Sequence, residues 1–122
     1  MSTFSRNIRP HVENELQAAT EAEADGLAAA AFAHLERAHV LGQASTVQHV
    51  RVHWRMFTWG WRQGQARECA GQLLRIVGAA TKTALGLVPS GNTGGSNVSP
   101  FKSLPVPQEL AVFVQNARPT VK

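Results

Sequence analysis

Apolar residues recur with helical spacing through the first two-thirds of the chain. Between positions 8 and 24, Ile8, Val12, Leu16 and Ala19 share one face, with acids between them. This is the stripe of an amphipathic helix, and Pro10 suits its first turn. Asp25-Gly26 breaks the pattern. Residues 27 to 41 are rich in alanine and apolar on more than one side, which predicts a second helix buried between neighbours. Gly42 is a stop, and Ser45-Thr46-Val47-Gln48 has the S-x-x-Q form of a capping box opening a third helix over 46 to 62. There Val47, Val50, Trp54, Phe57 and Trp61 make a bulky apolar stripe, with Trp54 and Trp61 read as core, while Arg51, Arg55, Thr58 and Arg62 face the other way. Gln63-Gly64 separates this from a fourth helix over 66 to 86, running through Leu73, Ile76, Val77 and Ala80. From position 88 the chain is rich in Gly, Ser, Asn and Pro, an irregular arm, before a short helix over 107 to 116.

The expected fold is therefore all-α: two stacked antiparallel helical hairpins over 1–87, with the arm of 88–122 packed on them in a single domain. A weak repeat at an offset of 38 pairs Gly26 with Gly64, Ala28 with Ala66, Leu35 with Leu73 and Arg37 with Arg75. It favours tetratricopeptide-like stacking, and an ordinary four-helix bundle remains open.

Composition narrows the function classes. A chain of 122 residues with 43% hydrophobic content buries a modest core without staples. The single cysteine, Cys69, forms no internal disulfide, suits a reducing compartment and is read as a small buried hydrophobe. No secretory signal and no membrane span are evident, so the cytoplasm is the expected location. Six of the eight acids lie in the first 36 residues, whereas ten Lys/Arg and two acids follow from Arg37 onward. The basic residues form no dense cluster of the kind phosphate tracking needs, so nucleic acid is not an expected partner. A protein partner docking on Arg51, Arg55 and Arg62 is the alternative to a ligand-binding role.

Candidate chemistry concentrates in HLERAHVLGQASTVQHVRVH at 34 to 53, which holds four of the five histidines. If helices two and three pivot at 42 to 45, His39 and His49 lie at matching heights above the turn. His49 and His53, at i and i+4, share a face, and so do Glu36 and His39 at i and i+3. Glu36, His39, His49 and His53 thus form a candidate site for zinc, iron or copper. His34 lies about 140° around its helix from His39 and joins Glu15 of helix one in a second tier. A structural imidazole–carboxylate network is the competing reading. GNTGG at 91 to 95 lacks the Lys-Ser/Thr of a phosphate-binding loop and is read as a tight turn seating the arm. No Ser-His-Asp order is defensible; metal binding for sequestration or delivery is the leading expectation, and an undiscovered catalysis at the metal stays open.

LERAHVLGQ at 35 to 43, HVRVH at 49 to 53 and GLVPSGNTGGSNVS at 86 to 99 resemble the bacterial domain-of-unknown-function family 3703 over nearly the whole chain. The resemblance implies a small cytoplasmic helical protein, with gene neighbourhoods for heavy-metal resistance as context. Metal sequestration, delivery or a metal-linked stress response is the expected use of the site. The family motif falls on His34, Glu36, Arg37, His39, Gln43, His49 and His53.

Overall fold

A computed structural model describes residues 2–84, 92–96, 98 and 103–120. Among the described residues five helices follow one another: α1 (Thr3–Ala24), α2 (Ala28–Gly42), α3 (Thr46–Arg62), α4 (Ala66–Ala84) and α5 (Gln108–Ala117). α1 packs along α2, and α3 along α4. α2 and α3 join the two hairpins, and α5 lies across α1 and α2. The fold is all-α, built from helical hairpins as expected.

Local signals account for most boundaries. Gly26 and Gly64 take φ of +77° and +68°, the left-handed conformation that ends a helix and disfavours any side chain with a Cβ. Ser45 caps α3 by accepting the Gln48 N–H at 3.3 Å. The capping box is only half made, because the Ser45 N–H donates to the Gly42 carbonyl instead. α1 starts earlier than its apolar stripe suggested. Ser2 is its N-cap, accepting from the Ser5 N–H, so Pro10 lies inside the helix rather than in its first turn.

Ile8, Val12, Leu16 and Ala19 of α1 meet Ala31, Leu35, Ala38 and Leu41 of α2 in the core, closed by Val52, Met56 and Trp59 of α3 and Leu110 of α5. The Trp59 indole N–H donates to the Ala28 carbonyl at 3.0 Å. Cys69 is buried, its thiol directed at the Phe57 carbonyl.

The stripe read on the third helix faces the opposite way. Val47, Trp54 and Trp61 are exposed, and the buried face of α3 is Gln48, His49, Val52, His53, Met56, Trp59 and Gly60. On α4, Leu73 and Val77 are likewise exposed while Gln72 is fully buried. The 38-residue repeat survives at its two turn glycines but not in packing: Leu35 is core and Leu73 is at the surface. Periodicity located both helices. It could not find the buried face of α3, which mixes apolar Val52, Met56 and Trp59 with Gln48, His49 and His53, because the histidines hold partners inside the protein.

The charge asymmetry is resolved between α1 and α3. Arg51 reaches Glu13 at 3.4 Å, and Arg55 donates to the Leu16 carbonyl and the Thr20 hydroxyl. Arg62 grips both oxygens of Glu23. No helix among the described residues is long and apolar enough to cross a membrane. Positions 85–91, 97 and 99–102, which include the expected start of the arm, lie outside the described residues.

Candidate metal centre

The chain folds back at 42–45 so that His39, near the end of α2, meets His49 and His53 on the first turns of α3. All three are almost fully buried, at 3%, 4% and 2% exposure. Their rings converge edge to edge, with centroids 4.7 Å apart for His39–His49 and His39–His53 and 4.9 Å for His49–His53. His39 Nε2 lies 3.0 Å from His49 Nε2 and 3.1 Å from His53 Nε2. A ligand nitrogen from each ring falls within 4.8 Å of the other two.

The far sides of two rings determine what those nitrogens can do. His39 Nδ1 stands 2.5 Å from the Asn92 carbonyl oxygen. A carbonyl only accepts, so Nδ1 carries the proton. His53 Nδ1 stands 2.5 Å from Gln72 Oε1. The Gln72 amide cannot be reversed, because its Nε2 donates to the Gly94 carbonyl at 2.9 Å and to Glu68 at 2.8 Å. Gln72 Oε1 therefore accepts, and His53 Nδ1 also carries its proton. In the neutral rings both Nε2 atoms are then acceptors, 3.1 Å apart, with His49 Nε2 3.0 Å from that of His39. Burial pushes the His39 imidazolium well below its ordinary range, and positive charge on His53, His49 or Arg75 would push it further. His39 is thus poor at taking a proton, and the three rings are well arranged to share a cation.

The arm closes this centre. Asn92 holds His39, and its side chain accepts the Gly94 N–H at 2.9 Å. Gly94, at φ +84°, lies flat on the His39 ring, where a Cβ would come within 2.6 Å of Cγ. Ser96 donates its N–H to Glu68, and Arg75 donates to the Val98 carbonyl. α4 and the arm therefore brace α2 and α3 from outside.

Three of the four principal candidates come together; Glu36 stands apart from the histidine cluster. It is half-buried, and burial raises its carboxyl above the ordinary range. A hydrogen bond from Thr93 opposes that rise, and the Glu68 carboxylate adds to it. His34 and Glu15 pair with each other at 2.8 Å. Glu15 also takes Arg37 at 2.9 Å, and Arg37 reaches Glu109, so this group ties α1, α2 and α5 together away from the centre. Arg51, Arg55 and Arg62, expected to meet a partner, are engaged with α1. Sequence reasoning places Asn92 and Gly94 in a tight turn seating the arm but gives them no role at the histidines, and it misses Gln72 and Glu68. The one available hint was polar Gln72 one turn beyond Glu68, between apolar neighbours.

The arrangement defines a class: a small all-α protein with a buried triad of imidazoles on a helical hairpin. The chain belongs to the family described as Protein of unknown function (DUF3703), whose model matches residues 6–114. Neither a curated protein nor a solved structure matches it.

Proposed function

We propose that the protein binds one transition-metal ion per chain through Nε2 of His39, His49 and His53, as a metal-handling rather than a catalytic protein. The supporting observation is the pair of lone pairs at 3.1 Å, held there by Asn92 and Gln72. Two such acceptors repel each other; an N–H from His49 can satisfy His39, whereas one cation satisfies all three rings at once. Zinc at about 2.0–2.1 Å from each nitrogen spaces tetrahedral ligands by roughly 3.3 Å, close to the 3.0 and 3.1 Å present. Small ring movements accommodate that difference.

Three neutral imidazoles suit zinc, copper, iron or nickel better than the hard cations magnesium and calcium. With no thiolate or carboxylate in the triad, the ion keeps its positive charge and a position for an exogenous ligand. Glu36 acts, in this reading, outside the coordination sphere. Sequestration or delivery fits a centre enclosed by its own arm.

The test is elemental analysis of tag-free protein followed by titration of the metal-free form with zinc, copper and iron. One equivalent bound, and lost in His39→Ala and His53→Ala variants that keep their helicity, is expected. Less than about a tenth of an equivalent with no uptake on titration refutes the reading.

A further inference from the structure

The outward face of the α3–α4 hairpin is built like an interior. Trp54, Phe57 and Trp61 form a chain of neighbouring rings along α3, with centroids 5.4 and 6.4 Å apart. The Phe57 carbonyl meets Cys69, and Trp61, Ala66 and Cys69 line one cavity, so the aromatic row borders α4. Leu73 and Val77 continue the Cys69 side of α4 at helical spacing, with Leu74 next to them. Exposure is 53% for Trp54, 74% for Trp61, 52% for Val47, 52% for Leu73, 78% for Leu74 and 70% for Val77. Among the helices, α4 packs on α3 alone.

We infer that a second copy of this chain covers this face, making a twofold dimer through α3 and α4. The exposed parts of those six side chains sum to roughly 700 Å². That is about a tenth of the 6919 Å² surface and close to the about 800 Å² per partner of a stable complex. Monomeric proteins ordinarily expose a largest apolar patch of about 300–600 Å². An isologous arrangement needs a self-complementary surface. Here it lays the aromatic row of one α3 against the aliphatic row of the partner α4, closing a four-helix layer. The α3 arginines beside the patch are held toward α1, Arg51 and Arg62 by Glu13 and Glu23 and Arg55 by the Leu16 carbonyl and the Thr20 hydroxyl.

Sedimentation velocity on the protein as purified, from about 1 to 200 µM, should give twice the 13.2 kDa chain mass. Tryptophan emission should shift to shorter wavelength as the dimer fills. Trp61→Glu combined with Leu74→Glu should weaken association at least about 100-fold while far-UV circular dichroism stays unchanged, since both side chains stand mainly in solvent within one copy. If that pair disturbs folding, Leu74→Gln with Val77→Gln makes the same measurement more gently. Val112→Glu, exposed on α5 away from the patch, should leave the dimer intact. A monomer throughout the range, a dimer insensitive to the patch variants, or dissociation by Val112→Glu would each overturn the inference.

Discussion

Replacing Gln72 by methionine separates the support of the centre from the centre itself. Gln72 is completely buried and makes three hydrogen bonds: it accepts from His53 and donates to Gly94 and Glu68. Methionine keeps the length and volume and removes all three. Glu68 retains the Ser96 N–H, so two groups are orphaned, the His53 N–H and the Gly94 carbonyl. Each costs about 1–3 kcal/mol when closed off from water, and burying the thioether chain returns roughly 1 kcal/mol. The metal-free protein should therefore lose about 1–5 kcal/mol in urea unfolding. Freed from Gln72, the His53 ring loses its fixed tautomer and orientation, and loss of such a partner costs about 10–100-fold in metal affinity. Competition against a chelator of known strength measures that loss in folded protein. Gln72→Glu is the companion variant. It still accepts from His53 but gives up both donors and faces Glu68, so stability should fall while affinity is kept or raised. A folded Gln72→Met variant with affinity within about twofold of the parent would refute the role given to this amide.

Two further outcomes test the arm and the protonation state. Gly94→Ala introduces a Cβ against the His39 ring at a positive φ; left-handed backbone costs about 1–2 kcal/mol and overpacking about 1–3 kcal/mol. Destabilisation of about 2–5 kcal/mol is expected, and a change under about 0.5 kcal/mol would mean the arm is not seated on His39. For pH, burial holds His39 well below its ordinary value of 6.5, so the unfolded chain takes up a proton there that the native state refuses. The stabilisation is whole above 6.5 and declines as pH falls below it, by up to about 1.4 kcal/mol per pH unit. Urea midpoints of metal-free protein at pH 7.5, 6.5 and 5.5 should show this decline, lessened in His39→Gln; equal slopes in the two proteins would contradict the buried neutral ring.

Much of the helical framework was legible because it rests on local rules. The Ile8–Val12–Leu16–Ala19 stripe, the two turn glycines and the Ser45 cap each act within a few residues and were recoverable from spacing. The meeting of His39 with His49 and His53 was also within reach, since equal distance from a turn fixes height and helical angle fixes direction. Glu36 shows the limit of that argument. Sharing a face with His39 does not bring its carboxylate to the same point, and Thr93 of the arm holds it elsewhere. The braces on the rings come from Gln72 and Asn92, 19 and 53 residues from their histidines. No periodic signal spans such separations.

The inversion of α3 follows from what its two faces must do. A helix whose inward side carries His49 and His53 gives up part of the apolar burial that ordinarily fastens a helix to its core. Its aromatic row, turned outward, leaves Trp54 and Trp61 more than half exposed in a single copy. Each face therefore has a deficit that a different addition removes: a cation between the imidazoles, and a second α3–α4 surface over the tryptophans. Local rules are broken where function needs them broken, with compensation supplied elsewhere. If the proposed ion and the proposed second copy both bind, the compensation comes through binding rather than from further core. The two would then stabilise the same helix from opposite sides, and each would make the ordering cost of the other smaller.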